Sequence, residues 1–277
     1  MPDDYVVTPL PPKDPTQDVQ SNHYWTYHGL DSLLACKQPL TESQDEDLFI
    51  AVHQICELAM HQMILDLDRA LAAIRDGLSD ETAALIGPTG HACYFLDRVV
   101  NMAAVINRTM PILGGLRAFN EFRGAIGPTS GFQSFQFRHM EIMVGVDHYW
   151  KGGTANADGH LDIAETRFDE VYGDEVTRWL TDHQHHSLTH YYRLIVDKAG
   201  DVETAWEDHN ARPVLALFAK VEHALQTFHQ AHLSVAVRQL KLVGAQLGTG
   251  GTDFRTYLKK FNEDVAPLFP GLAQQTH

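Results

Sequence analysis

The chain has 277 residues, 36 of them acidic against 21 basic, for a formal net charge of −15. Its length accommodates one large domain or two small ones, and its acidity argues against nucleic acid or an anionic membrane as a partner, since both require a basic footprint. No apolar run approaches the roughly eighteen residues that span a bilayer, and three cysteines (Cys36, Cys56, Cys93) without a CxxC pair suit a reducing compartment, so the cytoplasm is the expected location.

The chain opens on "MPDDYVVTPLPPKDPTQD", an acidic, Pro-rich stretch without the basic start and apolar core of a signal peptide. Residues 1–20 read as a flexible or draped arm, and residues 21–277 as the domain proper. From Glu46 to Leu71, apolar residues fall at Leu48, Phe49, Val52, Ile55, Cys56, Ala59, Met60, Met63, Ile64, Leu67 and Leu71. That three-and-four spacing is a buried helical stripe. Thr41 and Ser43 ahead of "QDED" give its start signal, through side-chain capping and acids at the positive helix end. A second helix is expected over about 81–113, kinked near Gly87-Pro88 and closed by "PILGG". Further helices are expected over about 130–144, 168–197 and 201–245, with a short one after Gly251; "VDHYWKGGTANADGHLD" reads as a long surface loop. No period-two strand and no internal repeat is present. The expected architecture is a single all-α helical bundle.

Seventeen histidines invite a metal or cofactor reading. Di-iron bundles need Glu-x-x-His, so that carboxylate and imidazole share a helix face, and that motif is missing from the sequence. "TANADGHLDIAE" has the spacing of a calcium loop, but Thr154 stands where the first Asp ligand belongs, and a solvated acidic loop explains it better. In "DHQHHSLTHYY", His186 and His190 lie one turn apart and could bind zinc, although a polar helix face accounts for them more simply. "GTGGT" (residues 248–252) lacks a P-loop lysine, yet it offers free backbone N–H groups and hydroxyls suited to a small anion such as a carboxylate.

"SGFQSFQFRHMEIMVG" places Arg138 among apolar positions of a helix. A guanidinium fork there could clamp a carboxylate ligand, or pair within the chain with Glu141. Thr249 in the glycine loop could complete an amino-acid head-group site. His53 lies one turn after Phe49, an imidazole beside an aromatic wall. His229 and His232, in "TFHQAHLSVAVRQL", sit where a neutral imidazole could be an axial ligand for heme iron.

Four segments together, "YWTYHGLDSLL", "DEDLFIAVHQICELAMHQM", "SGFQSFQFRHME" and "LGTGGTDFRTYL", resemble the tryptophan 2,3-dioxygenase and indoleamine 2,3-dioxygenase superfamily of heme-dependent aromatic oxygenases. The similarity runs from about residue 22 to 262 and is weakest between about 147 and 215. The resemblance implies an all-α domain holding non-covalent heme b, with O2 as co-substrate and an aromatic amino acid as substrate. It implies that Phe49 and His53 line the distal side of the heme, His53 hydrogen-bonding the indole nitrogen as the catalytic histidine. By the same resemblance, Arg138 pairs with the substrate carboxylate, and Thr249 holds the ammonium and carboxylate groups. Ser130 and Gly131 would lie against the cofactor, and Tyr24 and Tyr27 would reach the pocket of a neighbouring subunit in a homotetramer. His232, followed six residues later by Arg238, matches the axial ligand, with His229 as the alternative because the stretch from Arg238 to the glycine loop is three residues longer than in the family.

Other departures bear on the pocket. Ala59 stands where the family has Trp, Phe137 where it has Tyr, and the third quarter of the chain is short. Relatives in the superfamily insert one oxygen atom, giving 2-oxindoles from tryptophan derivatives or hydroxylating tyrosine. A monooxygenase is therefore the alternative activity, and a heme or amino-acid sensor without catalysis a more remote one. No His-x-x-x-Cys attachment motif is present, so the heme is expected to be non-covalent.

Overall fold

The computed structural model describes Thr16, residues 23–127, 129, 131–146, 163–244 and 266–275, leaving aside the side chains of Phe132 and of residues 163–169. All regular structure among them is helical, as expected from the periodicity. The chain forms two compact units, residues 1–38 and 39–277. The first contains α1 (Tyr24–Tyr27) and α2 (Leu30–Ala35), joined at Gly29, with the Trp25 indole N–H donating to Asp31 at 2.7 Å. Tyr24 and Tyr27 are both well exposed within it.

The second unit is a bundle around α3 (Gln44–Leu78), which runs seven residues past Leu71, where the expected stripe ends, because the stripe continues to the buried Ile74. α3 is long and apolar enough to cross a bilayer, with a mean hydropathy of 1.4 in its best stretch; here it is the central bundle helix, packed against α4 and α6. Its start is fixed differently from the expected hydroxyl caps. Ser43 is the N-cap residue but makes no side-chain cap bond; instead Glu46 reaches back to accept from the Leu40 and Thr41 N–H groups, both at 2.8 Å.

The second expected helix is shorter at its front. Residues 79–89 form turns, and α4 spans Gly90–Thr109, followed by a 3-10 turn at Met110–Gly115. Pro88 therefore precedes the helix rather than kinking it. Similarly, the expected helix over 201–245 is two: α9 (Val202–Glu207) and α10 (Ala211–Leu242). The Asp208 carboxylate accepts from the N–H groups of Asn210 and Ala211 at the break. Both corrections have one tertiary cause. Thr89 donates to the Asn210 carbonyl at 2.7 Å, and the Asn210 amide donates to the Ile86 carbonyl at 3.0 Å, so the two turns hold each other.

The expected helix over 168–197 also divides, into α7 (Ile163–His183) and α8 (Leu188–Ala199), with Ser187 capping α8 by accepting from the His190 N–H. α5 (Phe119–Ile126) lies where no helix was expected, and α6 is Phe135–Val144, preceded by a 3-10 turn at Gly131–Gln133. A short α11 (Leu272–Gln275) closes the described chain. Phe269 stacks on Phe218 of α10, 5.1 Å between centroids, and the Tyr192 hydroxyl donates to the Pro270 carbonyl. The expected helix after Gly251, the calcium-like loop and the GTGGT loop lie outside the described residues, apart from the calcium-like loop's last residues, which enter α7.

α6 ends at Gly145, whose φ of 108° is one that residues with a Cβ rarely adopt. A Cβ there would overlap the Thr189 hydroxyl and its Cβ on α8. Backbone strain and overpacking add, so Gly145→Ala is expected to cost about 2–5 kcal/mol. Urea denaturation measures this, and a loss below about 1 kcal/mol would mean that α6 and α8 are not in this contact.

Candidate functional site

α3, α6 and α10 bring the site residues together, and α5 supplies an aromatic wall. The Asp45 carboxylate, in the first turn of α3, accepts from the backbone N–H groups of Arg117 and Ala118, both at 2.7 Å, which starts α5 beside α3. Phe119 and Phe122 then meet Phe49, with centroids 6.0 and 5.3 Å away. Sequence reasoning missed this pair because α5 spans only eight residues; the signal was there in two aromatics three apart.

His53 packs on Phe49, 4.3 Å between ring centroids, and its Nδ1 lies 2.7 Å from the Phe49 carbonyl. A carbonyl only accepts, so Nδ1 carries the proton and, in the neutral ring, Nε2 keeps its lone pair. Burial pushes the His53 pKa down, against the smaller opposing effects of that hydrogen bond and of Glu57. The ring is thus a neutral acceptor at pH 7.

Gln136 sets the register of α6 on α3. Its amide donates to the Glu57 carbonyl at 2.8 Å and to the Glu57 carboxylate at 3.1 Å, while its oxygen pairs with His61 Nδ1 at 2.8 Å. Ser134 caps α6 by accepting from the Phe137 N–H. Two residues after Gln136, Arg138 is turned inward and is 3% exposed. Its guanidinium lies 4.7 Å from the centre of the Phe137 ring, and Nη1 donates to Glu141 Oε2 at 2.6 Å. The intrachain pairing is therefore realised in this structure. Glu141, 1% exposed, also places Oε1 3.7 Å from His229 Nε2 on α10.

His232 lies one turn further along α10, stacked on Phe228 at 5.8 Å. A Cβ on Gly131 would lie 3.9 Å from its Cε1, ordinary van der Waals contact, so the Gly131–Gln133 turn lies beside the ring. Its pKa is pushed down to about 4, first by burial and then by the positive fields of His229, His53 and Arg138. That dependence places the three histidines and the arginine in one electrostatic neighbourhood. No hydrogen bond to the His232 ring occurs among the described residues, so a neutral nitrogen with a free lone pair is available to a metal. A half-buried, neutral imidazole without a polar partner among the described residues is the kind of group that can hold a heme iron.

Thr249 and Ser130 lie outside the described residues, and Tyr24 and Tyr27 belong to the separate N-terminal unit. Among the described residues no three His, Cys, Asp or Glu side chains converge as metal ligands. The histidine cluster accordingly resolves into ring contacts: His186 Nδ1 pairs with the Tyr191 hydroxyl at 2.5 Å, and His185 lies edge-on to His190.

The family model for tryptophan 2,3-dioxygenase matches residues 13–208, about 70% of the chain. The chain belongs to the tryptophan 2,3-dioxygenase family. Curated members resemble it along nearly their whole length. The tryptophan 2,3-dioxygenase of Anaeromyxobacter sp. (strain K) is 28% identical over 284 residues, covering 94% of this chain and 97% of its own. Those of Bacillus thuringiensis subsp. konkukian and Paraburkholderia phytofirmans are 27% and 26% identical, covering 86% and 91% of this chain and 86% and 83% of their own. As a family member the chain is a heme-dependent oxygenase, consistent with the neutral imidazoles and buried guanidinium that its helices converge.

Two half-buried imidazoles give the heme-free protein an acid liability. His139, stacked on Trp179 at 4.3 Å, and His232 both have pKa values pushed down to about 4, by burial first and by neighbouring positive groups second. Above pH 6.5 neither the folded nor the unfolded chain protonates them, and below 4 both do. Between those limits only the unfolded chain binds the proton, so stability is lost as pH falls from 6.5 towards 4, by up to about 3 kcal/mol for each ring. His139→Phe should flatten that part of the stability profile, and an unchanged slope between pH 6.5 and 4 would contradict it.

Proposed function

We propose that this chain oxidises the indole ring of L-tryptophan or a closely related tryptophan, in the manner of tryptophan 2,3-dioxygenase, with non-covalent heme b. The observation that carries this is the convergence of a neutral His53 acceptor, a buried Arg138 cation and a desolvated, unengaged His232 on three helices of a family member. When bound, heme supplies activation of O2. The protein's own contribution is orientation and charge.

In this reading His53 Nε2 accepts the indole N–H, since its Nδ1 is committed to the Phe49 carbonyl. Phe49, backed by Phe119 and Phe122, provides an apolar wall for the indole and keeps water away from it. Arg138 receives the substrate carboxylate, and Thr249 completes the head-group contacts. Ser130 and Gly131 would help to hold the cofactor. The residue that would hold the heme iron is His232 rather than His229: His229 faces a carboxylate at 3.7 Å, whereas His232 has no polar partner among the described residues.

Turnover tests the function. The anaerobically reduced holoprotein, given tryptophan and then ¹⁸O₂, should yield a product carrying two labelled oxygen atoms. One labelled atom would indicate the monooxygenase alternative, and no product with either tryptophan or tyrosine would indicate a sensor. Ligation is tested separately: His232→Ala should abolish the Soret band while His229→Ala retains it, and the opposite pattern reverses the assignment.

We also propose a homotetramer in which Tyr24 and Tyr27 enter a neighbouring subunit's pocket. Both are more than 70% exposed in their own unit, and aromatic surface of that kind gains most by burial in a symmetric contact. Deleting residues 1–28 should leave a heme-loaded protein with weaker tryptophan binding and disturbed assembly. A monomeric full-length chain in light scattering would overturn this.

A further inference from the structure

Glu141 is a buried carboxylate that the reaction chemistry above does not use. It lies on α6 one turn after Arg138, 1% exposed, with Oε2 2.6 Å from Arg138 Nη1 and Oε1 3.7 Å from His229 Nε2. No hydrogen bond reaches Oε1. An acid in such surroundings is unfavourable unless it is paired, and the same holds for the guanidinium. Each ion therefore makes the burial of the other possible before any substrate arrives.

The pair also fixes geometry. An arginine side chain has four rotatable bonds and loses about 2 kcal/mol of rotamer freedom when ordered. The contact with Glu141 at one corner of the fork and with the Phe137 face at 4.7 Å restricts those rotamers in advance. Phe137 in turn is held by Phe228 of α10, with centroids 4.9 Å apart. Glu141 itself is anchored because α6 is registered on α3 by Gln136.

We propose that Glu141 is a positioning residue for substrate selection: it holds Arg138 in the orientation that accepts an amino-acid carboxylate, and so sets the preference for amino acids over the corresponding amines. The proposal rests on the reading of Arg138 as the carboxylate partner. It assigns the selection between acids and amines to the reach of the Glu141 side chain, and the burial of Arg138 to its charge, because orientation of the fork depends on where the acceptor oxygen stands. Gln keeps that reach and an acceptor oxygen. Asp keeps the charge but withdraws the oxygen by one methylene.

The experiment uses the heme-loaded protein and measures binding of tryptophan and of tryptamine, its decarboxylated analogue, by calorimetry and by the Soret change, with kcat and KM alongside. Glu141→Asp should reduce the tryptophan-over-tryptamine binding preference at least about tenfold, through weaker tryptophan binding, whereas Glu141→Gln should stay within about threefold of wild type. In the Asp variant KM for tryptophan should rise with kcat nearly unchanged, and heme content should be preserved. A purely structural role would instead lower heme content and weaken both ligands alike. Arg138→Leu separates the two levels of the argument. If it leaves the preference intact, the carboxylate-clamp reading itself has failed. If it abolishes the preference while Glu141→Asp retains it, or while Gln and Asp lose it equally, the positioning role of Glu141 is overturned and the clamp stands.

Discussion

The bundle depends on one carboxylate with no exposed surface. Asp66, in the middle of α3, accepts from Arg69 at 2.9 Å, from Arg98 of α4 at 3.0 Å and from the Gln62 amide at 2.9 Å. A buried carboxylate is tolerable only with such a full set of donors, and removing one partner leaves a costly orphan. Because Arg98 comes from α4, the network fixes the rotation of α3 about its own axis. His53 lies thirteen residues earlier, and at about 100° per residue it faces roughly the opposite side of the helix. The polar anchor to α4 thus turns His53 away from α4, while Phe49, to one side of it, packs on Phe119 and Phe122 of α5.

A similar economy operates on α6. One face carries Gln136, whose amide spans Glu57 and His61 on α3, and the next residues carry Phe137 and Arg138 into the interior. A chain with net charge −15 thereby keeps an arginine and three imidazoles within electrostatic reach of one another. Burial keeps His53 and His232 neutral, which suits a hydrogen-bond acceptor and a metal ligand; a protonated ring could be neither. Glu141 supplies the single negative charge in contact with Arg138 among the described pairs.

Much of this was legible in the sequence where the signal was periodic or where a motif was long. The stripe of α3 was readable residue by residue, and its observed extension follows the same pattern. The segments around His53, Arg138 and the glycine loop pointed to the family, which the match over residues 13–208 bears out. What was not legible were interruptions. The breaks at 79–89 and 208–210 lie within helix-compatible sequence, and they exist because Thr89, Asn210 and Ile86 bond to one another across more than a hundred residues. α5 was missed for a related reason, since its start is set by Asp45, not by a local cap.

The sequence by itself determined the helical class, the positions of the apolar stripes and the identity of the chemistry-bearing side chains, because these follow from periodicity and residue type along the chain. Helix geometry sets which proton sits on His53, through the Phe49 carbonyl one turn away. Tertiary structure alone decided that Phe119 and Phe122 stand beside Phe49, since the start of α5 depends on the Asp45 carboxylate of α3. It also decided that Arg138 and Glu141 are buried together: their i,i+3 spacing lets them pair on any helix, and packing of α6 takes the 2.6 Å pair out of water. Hydrogen bonds and ion pairs act over about 3 Å, a scale that residue spacing constrains within a helix but only packing resolves between helices.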